Sequence, residues 1–249
     1  MANPSEHLQF CMNNDWELAK ETGGSPESRR VWQYFNCSPN GFFVDVGANH
    51  PTKGNQTWYL EQQGWTGLLI EPHPEYAALL RAQRPRSRTF QVCVGSPRQV
   101  GTVDFYLGGR RSSPNPDVDV AEEGQSLKIP LTTLDAVLKE ANVTRIDFLS
   151  LDVEEMELDA LDGLDLHQWS PQLILIEDFF YHQRKHAYLR QRGYRLVKRT
   201  GYNNWYVPAS APASLFALNS SGEVFHLFRK RWLSGPFIGL RRRLRGQKV

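Results

Sequence analysis

Four stretches of the chain end a run of apolar residues on a group that could do chemistry. The first is Phe42-Phe43-Val44-Asp45-Val46-Gly47-Ala48-Asn49, an acid inside an apolar run followed by a glycine at a turn. Gly47 would let a ligand come close to the backbone, and the Asp45 carboxylate could receive a cationic amine or hydrogen bonds from the turn. The second is Gly67-Leu68-Leu69-Ile70-Glu71-Pro72, where an acid closes the run and could accept both hydroxyls of a ribose. The third is Ile146-Asp147-Phe148-Leu149-Ser150-Leu151-Asp152, with Glu154 and Glu157 close behind. The fourth is Leu173 to Ile176, closed by Glu177-Asp178, with His182 just beyond. A carboxylate or imidazole at such a place can take the proton of a hydroxyl, or hold a divalent ion that acidifies it. Hard oxygen donors from Asp152 and Glu177 would select magnesium or manganese, though no spacing identifies a metal site. Asp152 reads as base or helix cap, Glu177 as either role, and Asp178 as a cap of the next segment. His182 and His50, each alone, read as surface histidines as readily as bases.

A glycine turn followed by an acid after the second run also suits a dinucleotide. The turn fails that pattern, because Gly47 is followed by Ala48-Asn49-His50-Pro51 and the next glycine is Gly54. A pyrophosphate would have no cradle there. S-adenosylmethionine has no phosphates and carries a ribose and a zwitterionic amino acid, which matches two acids around one glycine. The expected contacts are Asp45, Gly47, Asn49, Glu71, Pro72 and, closing a third run, Val94.

Runs of this kind must be strands buried on both faces, because they lack the alternation of a half-exposed sheet. The pattern predicts strands over Phe42–Val46, Gly67–Glu71, Thr89–Val94, Gly101–Leu107, Leu127–Leu131, Ile146–Leu151 and Leu173–Ile176. Helices are predicted over Thr52–Gln63, Pro74–Gln83, Leu134–Glu140 with Thr132 or Thr133 as cap, Glu155–Leu161 and Gln183–Arg192. Tyr194–Lys198 and Asn204–Val207 read as a closing hairpin that adds an antiparallel edge. The alternation implies an α/β fold, an open and mostly parallel Rossmann-like sheet with helices on both faces. Its ligands belong beyond the carboxyl ends of the strands. Residues 1–40, with patchy helical periodicity around Trp16 to Lys20 and Arg29 to Phe35, read as a helical extension. Residues 41–208 read as the catalytic domain and 209–249 as a tail. Arg110 to Gly124, rich in prolines and charges with little to bury, reads as a surface segment over the site.

With 40% hydrophobic and 12% aromatic residues the chain can bury a core, and no apolar run is long enough to span a bilayer. No basic segment followed by an apolar stretch opens the sequence, and three cysteines without a CxxC spacing indicate neither disulfides nor a zinc knuckle. A cytoplasmic location is expected. The net charge of +2 hides an asymmetry: the last 21 residues hold eight basic residues and no acid, leaving the rest net acidic. Phe225 to Phe228, Trp232 and Phe237 to Leu240 interleave with those arginines and lysines. Such a tail suits an anionic membrane surface or the acidic body itself, and no nucleic-acid partner is expected.

Taken in order, Phe43-Val44-Asp45-Val46-Gly47-Ala48-Asn49, Leu69-Ile70-Glu71-Pro72, Pro130-Leu131-Thr132-Thr133-Leu134-Asp135 and Ile146 to Glu154 with Glu157 resemble the FkbM family of methyltransferases. The resemblance runs from about Gly41 to Pro208. It implies a class I methyltransferase fold, with Asp45, Gly47, Asn49 and Glu71 around S-adenosylmethionine. It further implies methyl transfer to oxygen, often on saccharides or secondary metabolites. Glu155 and Pro51 stand where the family pattern carries glycine. A noncatalytic Rossmann-like binding module anchored by its tail and an NAD-linked oxidoreductase are the competing readings.

Overall fold

The computed structural model describes residues 25–107, 112–114, 126–178 and 183–212. After a helix α1 (Pro26–Tyr34), β1 (Phe42–Val46) leads through α2 (Trp58–Gln62) to β2 (Thr66–Ile70), and α3 (Pro74–Gln83) leads to β3 (Ser87–Phe90). A small excursion follows, made of β4 (Cys93–Val94), β5 (Gly101–Tyr106) and β6 (Ser126–Thr132). The chain returns through α4 (Leu134–Glu140) to β7 (Phe148–Leu151), then α5 (Glu157–Asp162), α6 (Leu166–Trp169), β8 (Leu173–Glu177), α7 (Gln183–Gln191), β9 (Tyr194–Thr200) and β10 (Asn203–Pro208). The main sheet has seven strands in the order β3-β2-β1-β7-β8-β10-β9. Neighbours pair parallel except β10, which runs against both β8 and β9.

Strand periodicity divides the core. Val44, Val46, Leu68, Ile70, Leu149, Leu151, Ile174 and Ile176 face Leu134, Leu138, Leu161 and Leu189 of α4, α5 and α7. Phe43, Leu69, Phe148, Leu173, Leu175 and Trp205 face Val31, Trp32, Leu60 and Leu80 of α1, α2 and α3. Alternate residues thus serve opposite layers, which is why these strands read as continuous apolar runs. The expected α/β sheet with helices on both faces is what the chain forms.

Several expectations need correction. The closing hairpin is not among them: it adds antiparallel pairing at the edge as expected, with β10 against β8 and β9 outermost against β10. The predicted strand Thr89–Val94 is two strands in two sheets, since β3 pairs β2 while β4 pairs β6. Of the helix predicted over Thr52–Gln63 only Trp58–Gln62 forms. The Asn55 side chain explains this: its Oδ1 accepts the N–H groups of Thr57 (2.9 Å) and Trp58 (2.7 Å), a local alternative to helix bonding. The helix expected over Arg29 to Phe35 begins earlier, at Pro26, with Ser25 capping it through Glu27 N–H. Thr133 is the cap of α4, accepting from Ala136 N–H at 3.1 Å. The helical stretch expected around Trp16, most of the Arg110 to Gly124 segment, and the tail beyond residue 212 lie outside the described residues.

Candidate active site

Strand order reverses at β1 and β7, which lie side by side although five strands separate them in the chain. Such a switch point opens a crevice at the carboxyl ends of the strands. A cleft of about 250 Å³ lies there. Its walls include Asp45, Gly47 and Asn49 after β1, Glu71 and Pro72 after β2, Val94 of β4, Asp152 after β7 and Glu177 of β8. All the expected site residues that fall among the described ones therefore share one cavity. His182 lies outside the described residues.

Gly47 has φ +81°, and a Cβ built there would stand 1.8 Å from the backbone oxygen of Asp152. Both the dihedral and the close approach of β7 demand glycine. Its N–H donates to Ile70 O at 2.9 Å, and Asp152 N–H donates to Val46 O at 3.0 Å, so three strand ends are laced together at this residue. Asn49, also left-handed at φ 51°, turns its N–H onto Glu71 Oε2 at 2.7 Å, while His73 N–H donates to Oε1 at 2.7 Å. Each Glu71 oxygen spends one lone pair on the backbone and keeps one for a ligand. Burial pushes Glu71 up to about 7; the two N–H bonds act against it, and the charges of Asp45 and Asp152 act with it.

Asp45 is buried, and its Oδ2 accepts from Thr57 Oγ1 at 2.8 Å and Asn55 Nδ2 at 3.4 Å. Burial raises its pKa, against the pull of Thr57, Arg84, Ser150 and Asn55. Behind it, fully buried Arg84 bonds Glu61 (2.8 Å), Pro51 O (3.1 Å), Asn55 Oδ1 (3.1 Å) and Thr57 Oγ1 (3.1 Å). The guanidinium clamps the loop that replaces the expected helix, and Pro51, standing where the family pattern has glycine, contributes its carbonyl. His50 is not poised as a base: its Nδ1 accepts the N–H groups of Thr52 (3.1 Å) and Lys53 (3.0 Å), closing a turn.

At the other end, the carboxyls of Asp152 and Glu177 lie together in the cleft wall, close enough to shift each other's pKa. Burial raises both, and Glu177 the more, because the Asp152 charge adds to its desolvation. Glu157, fully buried, pairs with Lys185 at 2.6 Å and accepts Val153 N–H at 3.2 Å; Lys185 also donates to Glu177 O at 2.9 Å. This unit fixes the ends of β7 and β8 beside each other. Glu154 and Glu155 have φ 49° and 75°, so the loop after Asp152 takes a glycine-like path although Glu155 stands in the glycine position. Ser113 anchors the segment above by donating to Glu154 O at 3.2 Å, which brings Ser112 and Pro114 into the cleft wall. Asp178 ties β8 to the hairpin, accepting from Asn204 Nδ2 at 2.8 Å.

Among the described residues no group of three or more His, Cys, Asp or Glu side chains could hold a metal ion. The described residues therefore give no support to the expectation of magnesium or manganese at Asp152 and Glu177. The donor set does fit S-adenosylmethionine: ribose acceptors at Glu71, a glycine surface at Gly47 and carboxylates facing a cationic ligand.

The family model described as the methyltransferase FkbM domain matches residues 45–196, which hold the whole strand-end constellation from Asp45 to Glu177. The chain belongs to the FkbM methyltransferase family. Among solved structures, it is similar to the FkbM methyltransferase of Methylobacillus flagellatus KT, with 14% identity and TM-score 0.45 over 82% of this chain and 58% of that one. It is also similar to a TehB-like SAM-dependent methyltransferase of Corynebacterium glutamicum, with 14% identity and TM-score 0.40 over 83% of this chain and 100% of the other. The chain thus spans 58% of the length of the Methylobacillus protein. No curated protein matches. In this FkbM chain the supports of the site escaped sequence reasoning. Arg84, Lys185 and Glu27 sit in helices or at helix ends where a charge is normally solvated, and nothing local in the sequence distinguishes them. Cys93, also in the wall, is kept protonated by burial and then by Glu71, which push its thiol up to about 12.

Proposed function

We propose that the chain is an S-adenosylmethionine-dependent O-methyltransferase acting on a hydroxyl of a saccharide or related natural product. The observation that carries this reading is the convergence of Glu71, Gly47 and the Asp152–Glu177 pair on one cleft at the switch point, in a chain of a methyltransferase family. The bound cofactor supplies an electrophilic methyl group on a sulfonium. Glu71 accepts the ribose hydroxyls, and the Gly47 turn lets the ligand lie on the backbone. Glu177 donates its proton to Asp152 and so orients the Asp152 carboxylate toward the methyl end. Asp152 takes the acceptor hydroxyl proton as the C–O bond forms and the C–S bond breaks. The basic tail supports a peripheral position on an anionic membrane surface at the cytoplasmic face.

Two measurements test the reading. Titration calorimetry with S-adenosylmethionine, S-adenosylhomocysteine and NAD should show binding of the first two and none of NAD; tight NAD binding overturns it. Transfer of labelled methyl to a neutral glycan fraction should give label that survives mild alkali, as an ether does. Label released as methanol would place the methyl on a carboxylate instead.

A further inference from the structure

Building on the reading of the cleft as an S-adenosylmethionine site, we propose that Lys53 is the side chain that binds the carboxylate of the cofactor's methionyl end. The cofactor carries two cationic centres, its sulfonium and its ammonium, and one carboxylate. The described walls of the cleft mirror this: Asp45, Glu71, Asp152, Glu154 and Glu177 are acids, and Lys53 is the one cation among them. A carboxylate entering a cleft with five acidic side chains needs a counter-charge, or it meets only repulsion. Lys53 stands on the loop that follows the Gly47 turn, with Gly54, Asn55 and Gln56 completing the same wall. His50 Nδ1 holds the Lys53 N–H at 3.0 Å, and Gly54 at φ +68° turns the chain just after it, so the backbone under the lysine is fixed. The two side-chain amides that follow Lys53 on the loop are engaged. Asn55 Nδ2 donates to Ala48 O at 2.8 Å and Gln56 Nε2 to Glu27 at 2.8 Å. The Lys53 ammonium makes no hydrogen bond or ion pair among the described residues, and its side chain is exposed at the cleft.

The test removes the carboxylate from the ligand and the ammonium from the protein in turn. Calorimetry on the full chain compares S-adenosylhomocysteine with its decarboxylated analogue, S-adenosyl-3-thiopropylamine, for the parent, Lys53→Met and Lys53→Arg. The parent should prefer S-adenosylhomocysteine by about 5- to 20-fold, as one partly solvated charge-assisted contact gives. Lys53→Met should lose that preference while binding the analogue within about twofold of the parent, and Lys53→Arg should keep most of it. A parent that shows no preference, or a Lys53→Met protein that retains it, overturns the assignment. Failure of the parent to bind either ligand would instead remove the cofactor reading on which the assignment rests.

Discussion

Glu71 is asked to do two things that oppose each other: it sits buried among acids, and it must be ionised to accept two hydroxyls. With its carboxyl pushed up to about 7, the proton is bound below that pH and the acceptor capacity falls. Affinity for S-adenosylhomocysteine should therefore weaken as pH drops below about 7, by at most about tenfold per unit, and level off above it. Calorimetry between pH 5.5 and 8.5 reads this as about the pKa of one group. Glu71→Ala should remove the pH dependence and cost about 1.5–3 kcal/mol of binding at pH 8. Asp152 works at the reacting end. Asp152→Asn keeps the size and the backbone bond to Val46 but cannot take a proton, so turnover should fall about 10²- to 10⁴-fold with cofactor affinity little changed. Near-parental turnover in a folded Asp152→Asn protein would leave Asp152 a structural residue.

Among the elements, the loop between β1 and α2 depends on one cation. Arg84 at the end of α3 is fully buried against Glu61, and its remaining N–H groups satisfy Pro51, Asn55 and Thr57. Arg84→Met should destabilise the protein by about 3–5 kcal/mol in denaturant unfolding, because it strands a buried carboxylate. Adding Glu61→Gln should recover part of that loss; an unchanged midpoint in the single variant would show that the clamp contributes nothing. The sequence makes the strands legible for the same reason that it hides the clamp. Val44, Leu68, Leu149 and Ile174 belong to apolar runs whose only home is a two-sided sheet, and the acids that end those runs fall at the strand tips. Arg84 is bracketed by Arg81 and Arg86 and looks like one more solvated charge, and Glu27 finds Thr200 and Asn203 only across the folded chain. The break between Phe90 and Cys93 was likewise invisible, since both pieces are extended and only their partners differ.

For the whole molecule, the division of charge is the informative feature. Eight basic residues lie in the last 21 and acids dominate the rest. If the tail meets anionic lipid, the full chain should co-sediment with phosphatidylserine-containing vesicles at low salt and lose this in about 0.5 M salt, where screening is short-ranged. Deleting Phe228 to Val249 should abolish co-sedimentation and leave S-adenosylhomocysteine affinity intact. A full-length chain that ignores such vesicles would favour a tail packed on the acidic body.

The Glu27 carboxylate bonds Gln56 of the cleft wall at 2.8 Å, and Asn203 and Thr200 of the hairpin, while Val31 and Trp32 of the same helix pack on Phe43, Trp65 and Trp205. The segment that carries family ancestry, residues 45–196, is thus smaller than the segment that folds. Heredity and cooperativity draw different borders here. A fragment cut at residue 41, generous by the standard of similarity, would bare a tryptophan-lined face and lose the brace of one wall. It should express as an aggregating species that does not bind S-adenosylhomocysteine in calorimetry; a soluble fragment that binds it like the parent would show that the helix is no part of the folding unit.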